Sequence, residues 1–458
     1  MPSFDPFKHP SRACAHEMSQ KANHNGNAAP NGDGPPCSGG WSGARTVADL
    51  ANWRMCLGCG ACASVCPEKR IRLLDFPREG YRPLVAAGDC NSCRLCLEVC
   101  PGYVNDRSGA NGRAGIIPEL IPCCGPVLEI WEGHAADPEI RFMGSSGGII
   151  TGLSCFCLEV EKMHGVLHTA GNPDVPWQNR TRLSRTRPEL MAATGSRYAP
   201  AAVCDSLAVV EAAPAPCLIV GQPSEITALR KVQGLRPQLQ QKVGLAISFF
   251  CAGSPSTQGT LQLLKQMGID AAAVSELRYR GRGWPGHFGV RLKGQTEFMP
   301  KLTYAESWGL LQAYRPFSVH LCPDGTGEDA DITCGDPWYR PVQPGEPGSS
   351  LILIRTELGR RLFRRALEAG CIVAKPLGIA ELLKSQRNLF EKRGAIGGRI
   401  LVMKLFGLPT PCLRGFFLFR NWLRLSLADK LRSTLGTARR IISRKLFRPL
   451  HLDPNEVN

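Results

Sequence analysis

Residues 56–67 read Cys-Leu-Gly-Cys-Gly-Ala-Cys-Ala-Ser-Val-Cys-Pro, and residues 90–101 read Cys-Asn-Ser-Cys-Arg-Leu-Cys-Leu-Glu-Val-Cys-Pro. Each is Cys-x2-Cys-x2-Cys-x3-Cys-Pro, the spacing of bacterial ferredoxins that carry two clusters. Three thiolates two residues apart wrap one corner of an iron–sulfur cube while the chain's own amides donate to the sulfurs, and the fourth cysteine points away to the neighbouring cube. The following proline turns the chain out of the site. This rule gives Cys56, Cys59, Cys62 and Cys100 to one [4Fe-4S] cluster, and Cys90, Cys93, Cys96 and Cys66 to a second. Gly58 and Gly60 relieve crowding where the backbone passes close to sulfur. A pair of zinc knuckles is the competing reading, but zinc takes its four ligands as two pairs, not as triplets with a remote fourth. Two adjacent cubes make an electron wire and choose no substrate by themselves.

The rest of the 458-residue chain is too long for one small domain. The opening MPSFDPFKHPSR has no apolar stretch of the kind an export leader needs. In a cytoplasmic setting the 21 cysteines are expected as metal ligands and buried thiols, not a disulfide framework. No uncharged apolar run is long enough to span a bilayer. Residues 1–46, rich in Asn, Gly, Pro and Ser, are expected to be disordered. Residues 47–105 form the ferredoxin-type domain, 106–122 a linker, and 123–375 a mixed α/β body divided near residue 210. Residues 376–458 form a basic helical tail. Of the net charge of +16, the segment 384–450 carries +14, from 16 Lys/Arg against 2 Asp/Glu, so the body is nearly neutral.

Within the body, the apolar runs 215–220 and 245–250 predict buried strands, and 257–267 and 357–369 predict helices. Gly144-Ser145-Ser146-Gly147-Gly148 opens an apolar segment, and a turn of this kind at a helix start offers free amides to a phosphate, or is simply a tight turn. Gly221-Gln-Pro-Ser-Glu-Ile-Thr-Ala-Leu-Arg230 follows a strand, a common edge for ligands. Phe249-Phe-Cys-Ala-Gly-Ser-Pro-Ser256 follows another. Arg278-Tyr-Arg-Gly-Arg-Gly-Trp-Pro-Gly286 holds three arginines able to grip a phosphate or carboxylate in a fork, or to sit in a solvated basic turn. The last stretch, Cys322-Pro-Asp-Gly-Thr-Gly-Glu-Asp-Ala-Asp-Ile-Thr-Cys-Gly-Asp336, lacks the pattern of a calcium loop, so Asp324, Asp331 and Asp336 read as turn and capping residues. His320 is either a packed histidine or a proton carrier.

Taken in this order, these stretches resemble the coenzyme F-420 hydrogenase/dehydrogenase beta-subunit family, over the span from the ferredoxin module to Trp338. The resemblance implies an iron–sulfur flavoprotein that moves electrons between its clusters, an FAD, and a small-molecule or cofactor acceptor, with a ferredoxin-like or other redox partner protein. It implies a flavoprotein-like body, so the fold class is α+β / α/β. Gly144 to Gly148 and the 278–286 stretch are the candidate pyrophosphate cradles, with Arg278, Arg280 and Trp284 as cofactor-binding residues. The chain departs from the family at Ser224, where a cysteine often follows the proline, and at 317–322, where a further cysteine often precedes the Cys-Pro-Asp turn. Cys251, Cys322 and Cys334 remain, read as buried structural thiols as readily as ligands of a third cluster. Chlorophyll-type tetrapyrrole reductases share the architecture and give a second reading. A third is an electron-carrying adaptor without a reaction of its own. Stand-alone members of this branch are associated with cell-surface polysaccharide synthesis.

The tail alternates apolar and basic residues (CLRGFFLFRNWLRLSLADKLRSTLGTARRIISRKLFRPL). A basic amphipathic helix suits an anionic membrane surface, giving a peripheral location; a helix docked on the body with its charges in solvent fits the same pattern. No nucleic-acid recognition motif accompanies the charge.

Overall fold

The computed structural model describes residues 40–86, 90, 93–109, 114–343 and 345–457. Fifteen strands occur among them: β1 Ile71–Phe76, β2 Gly80–Val85, β3 Val104–Asp106, β4 Glu129–Ala135, β5 Gly165–Gly171, β6 Asn179–Ser184, β7 Cys217–Gly221, β8 Val243–Phe249, β9 Val274–Arg278, β10 His287–Leu292, β11 Met299–Thr303, β12 Ile332–Gly335, β13 Ser350–Ile354, β14 Ile372–Pro376 and β15 Cys412–Arg414. Eight of them build one mixed sheet in the order β14-β4-β13-β12-β8-β7-β5-β6. Its centre, β5-β7-β8-β12, is parallel, and antiparallel strands close both sides. Parallel strands are covered on both faces and so read as apolar runs, which is why Cys217-Leu-Ile-Val220 and Leu245-Ala-Ile247 are legible as strands.

Helices Ile149–Glu159 and Glu357–Glu368 pack on the sheet through Leu153, Phe156, Leu362 and Phe363. The second shows how sequence fixes such an element. The Thr356 hydroxyl accepts from the Gly359 amide as N-cap, Leu362, Phe363 and Ala366 face inward, and Arg360, Arg361, Arg364 and Arg365 stay outside. Helix Pro223–Leu235 links β7 to β8. The C-terminal ends of β7 and β8 therefore lie side by side, the usual ligand edge of a parallel sheet.

The ferredoxin module centres on the hairpin β1–β2 and on Leu50, Met55, Leu97, Cys62 and Cys100. Of the stretch expected to be disordered, residues 1–39, with Cys14 and Cys37, lie outside the described residues. Residues 40–46 do not match the expectation: Ala44 is buried and Trp41 meets Trp53 edge-on at 6.0 Å. Their apolar side chains find a surface on the module that composition alone does not reveal.

The tail is helical, with Arg387–Leu405 and Leu427–Ser443 as its longest helices, and it folds back onto the rest. Strand β15 pairs parallel with β3, the Leu450 amide donates to Asn52 O, and the Arg54 guanidinium donates to Arg448 O. Among the described residues no helix is long and apolar enough to cross a membrane.

Candidate redox site

The fold brings four of the eight motif cysteines to one pocket. Cys56, Cys59, Cys62 and Cys100 line one cavity of about 360 Å³, open solvent included, with Leu57, Gly58, Gly60, Leu50 and Pro101 among its other walls. The helix Ala61–Val65 starts from Gly60, whose φ of 87° only glycine adopts easily, and a Cβ there would sit 2.6 Å from the Asp205 amide. The Gly58 amide donates to Cys56 Sγ at 3.4 Å, the kind of amide–sulfur contact a cluster uses. Burial, followed by the neighbouring thiols, holds Cys59 and Cys62 well above the usual cysteine range, and burial pushes Cys100 up to about 12. Cys59, Cys62 and Cys100, three buried thiols that resist ionisation beside Cys56, belong to a donor set that a strongly cationic centre would keep as thiolates. In the second group, burial raises Cys96, with Cys93 and Cys66 close by, and Cys66 Sγ accepts from the Arg70 amide at 3.4 Å.

A second, open cleft of about 570 Å³ lies against the first cavity. Leu57 and Gly58 line both. Its floor is the ligand edge of the sheet: Gln222, Pro223 and Ser224 after β7, and Cys251, Gly253, Ser254 and Pro255 after β8. Glu79, Tyr81 and Arg82 of the module close one side, and Pro316, Ser318, Val319, Cys322 and Asp324 another. Arg82 is 3% exposed, and its Nε is buried without a hydrogen-bond partner.

Sequence reasoning missed several wall residues, among them one contributed by the tail. Lys392, on the tail helix, reaches the cleft, where its Nζ donates to Ala252 O at 3.3 Å. Burial lowers its pKa, while Cys322 and Cys251 oppose the shift. Burial also pushes Cys322 up to about 11 and raises Cys251, so both thiols are neutral near pH 7. Cys334 lies in β12, inside the sheet core, and does not line the cleft.

The residues expected to cradle a cofactor come together with each other, but none of the eight lines the cleft. Ser146 Oγ donates to Ser349 O, the Gly147 amide donates to Ser350 Oγ, and Ser145 Oγ accepts from the Ser196 amide. Gly144 and Gly148 pack backbone to backbone, 2.9 Å from a Cβ at Gly144 to the Gly148 Cα. Arg280 is 2% exposed and gives all five of its N–H groups to the protein: a fork to Asp336 at 2.7 and 2.8 Å, and single bonds to Tyr198 Oη, Pro285 O and Ser145 O. Trp284 stacks on Trp338 at 5.3 Å and donates to Asp336 at 2.9 Å. Arg278 bonds Glu276 and Thr194 O. These residues clamp two loops together, with their polar groups on protein partners and apart from the cleft.

Of the three aspartates only Asp324 behaves as a turn residue; Asp331 ties distant segments together and Asp336 takes the Arg280 fork. Asp324 accepts from the amides of Thr326, Gly327 and Glu328, and Asp331 accepts from the Ala246 amide and the Thr356 hydroxyl. His320 carries no proton near neutrality: burial, then Arg399, Arg440, Arg315 and Lys392, lower its pKa to about 2. An unfolded histidine takes a proton near pH 6.5, so the unfolded state binds more protons between about pH 6.5 and 2. Stability is therefore full above that range and falls as pH drops, by up to about 1.4 kcal/mol per unit from this residue. Urea midpoints at pH 7 and pH 5 measure it, and His320→Gln is expected to flatten the difference.

A cysteine cavity sharing a wall with a cleft at the ligand edge of an α/β sheet defines an iron–sulfur oxidoreductase. Three family models match the chain: the 4Fe-4S dicluster domain at residues 50–105, and the N-terminal and C-terminal domains of the coenzyme F420 hydrogenase/dehydrogenase beta subunit at residues 130–208 and 216–379. The chain belongs to the coenzyme F420 hydrogenase/dehydrogenase beta-subunit family, as its motifs led us to expect. The coenzyme F420 hydrogenase subunit beta of Methanothermobacter thermautotrophicus is 27% identical over 302 residues, covering 63% of this chain and 99% of that protein. The coenzyme F420-dependent sulfite reductase of Methanocaldococcus jannaschii is 23% identical over 336 residues, 69% of this chain and 46% of that protein. A chain in a xenon-derivatised structure of the F420-reducing [NiFe] hydrogenase complex from Methanosarcina barkeri shares the fold, with a TM-score of 0.50 at 23% identity over 64% of this chain and 97% of that one.

Proposed function

We propose that the chain relays electrons between two [4Fe-4S] clusters, in the module 47–105, and a flavin held in the cleft on the body 123–375. Cys56, Cys59, Cys62 and Cys100 would hold the cluster next to the cleft, and Cys90, Cys93, Cys96 and Cys66 the outer one. The observation that carries this reading is the shared wall: among the described residues, Leu57 and Gly58 line both the cysteine cavity and the cleft.

The residues present fit a flavin. Leu57, Pro200, Pro255, Pro316 and Val319 supply apolar walls for a ring. Arg82, with a buried donor lacking a partner, and Lys392, with one long bond, supply cations for its electron-rich edge or its phosphates. When bound, a flavin supplies the exchange between two-electron and one-electron steps. The protein's part is to fix the ring against the Leu57–Gly58 wall, to place cationic groups beside it, and to keep Cys251 and Cys322 as neutral thiols. The names of the relatives make coenzyme F420 the first two-electron partner to try. We place the protein in the cytoplasm, a reading supported by the absence of any disulfide among the described cysteines.

Titration of the flavin-free, cluster-loaded protein with FAD tests the reading. Saturable binding with quenched flavin fluorescence is expected. Lys392→Met is expected to weaken it about 10- to 100-fold, the 1.5–3 kcal/mol of a hydrogen bond to a charged group. A protein with intact clusters that binds no FAD would point instead to an electron-carrying adaptor.

A further inference from the structure

The last helix, Leu427–Ser443, is docked by one face only. Ser433, Thr437 and Ile441, four residues apart, are its buried side chains. Ile441 joins Phe317, Leu321, Val402, Met403 and Leu446 in a small core. About a third of a turn round the helix, a second apolar stripe faces solvent: Leu427, Leu431, Leu435 and Ile442 are 73%, 49%, 65% and 62% exposed. Phe419 and Leu423 just before it, and Phe447 just after it, are also exposed. Single exposed leucines need no explanation, but a row of four at helical spacing on a folded surface marks an interaction site.

The charge around the stripe narrows the partner. From Leu418 to Arg448 there are nine Lys/Arg and a single acid, Asp429, which pairs with Arg432 at 2.6 Å. Arg420, Arg424, Arg439, Arg444 and Lys445 are exposed. A nucleic acid would use the cations and leave the leucines without a function. A second copy of the same face would set its exposed cations against an identical set. An anionic bilayer uses both features, taking the apolar stripe below its headgroups and the arginines among its phosphates. We propose that the face formed by Leu427, Leu431, Leu435 and Ile442 with its flanking basic residues docks the protein on an anionic membrane surface.

This proposal is independent of the flavin. It has a geometric consequence for the cleft, however. The segment 316–322, which contributes Pro316, Ser318, Val319 and Cys322 to the cleft wall, also packs through Phe317 and Leu321 on the small core that holds this helix. Docking would bring that wall to within about one helix diameter, ~10 Å, of the headgroups.

Vesicle co-sedimentation of the full chain tests it, using phosphatidylcholine alone and phosphatidylcholine with phosphatidylglycerol. Binding is expected only to the vesicles containing phosphatidylglycerol, and is expected to weaken as salt rises. Leu431→Glu with Leu435→Glu, and separately Arg432→Glu with Arg439→Glu, are each expected to weaken it more than about tenfold, with iron content and elution volume unchanged. The proposal is overturned if the wild-type protein sediments with neither vesicle, if the folded variants bind as well as the parent, or if the parent is a dimer that the leucine variant splits. In the last case the face is a self-interface.

Discussion

Replacing Cys56 with serine is expected to halve the iron of anaerobically purified protein, from about eight to about four per chain, the content of one cubane against two. The structure puts Cys56 in the cavity with Cys59, Cys62 and Cys100, and sets Cys96 near Cys93 and Cys66. The loss should reach beyond iron. Cys62 and Cys100 pack with Val47, Leu50, Met55 and Leu97, so the core of this module is built around the thiols themselves. Binding a metal centre to ligands that exist only when folded contributes directly to folding stability. The variant's module is therefore expected to become sensitive to protease while the eight-stranded body survives. Because the cavity shares the Leu57–Gly58 wall with the cleft, flavin reduction by the outer cluster should also slow sharply. Iron and acid-labile sulfide assays with limited proteolysis measure the first two effects. Iron remaining near eight per chain would mean that Cys56 is not a ligand.

Arg107→Met is expected to cost about 3–5 kcal/mol of stability, the range for removing one partner of a buried ion pair. The Arg107 side chain is 3% exposed and meets Asp324 at 3.3 Å, Glu328 at 3.7 Å and Asp329 at 2.6 Å. Asp324 and Glu328 are themselves almost fully buried, so removing the guanidinium strands carboxylates in a region that water does not reach. Arg393 on the tail helix also pairs with Glu328, and both arginines stand 5.2 Å from the Phe416 ring. The network thus joins the chain after β3, the Cys322–Asp336 loop and the tail. A control comes from Arg187, whose side chain is 42% exposed where it meets Asp137 and Glu159. Exposed pairs contribute about 0–1 kcal/mol, so Arg187→Met should shift the urea midpoint little. Equal shifts for the two variants would contradict the account of the network.

The two cysteine runs were legible because their pattern is local: four cysteines within eleven residues, twice, with the proline that ends each run. The strands β7 and β8 and the helices Thr257–Gln266 and Glu357–Glu368 were legible for the same reason, since burial on one or both faces writes its period into neighbouring residues. The order of the large sheet was not. It sets β4 between β13 and β14, more than 200 residues away along the chain, and no local pattern encodes that pairing.

The site was half legible. The turns after β7 and β8 were singled out, and they floor the cleft. Arg280 looked like a phosphate ligand because an arginine in a glycine-rich turn gives no sign of where its donors go. Its partner Asp336 lies 56 residues on, in a motif read separately. Lys392 was invisible for the opposite reason, one cation among 16 in a stretch whose charge suggested solvent. Only the packing of the tail onto the body turns that side chain into the cleft.

The most direct test of the central claim is to purify the protein without oxygen and assay iron, sulfide, zinc and flavin on the same sample. About eight irons, about eight sulfides and one flavin per chain are predicted, the content of two cubanes beside one occupied cleft. Zinc in place of iron, with no acid-labile sulfide, would contradict it.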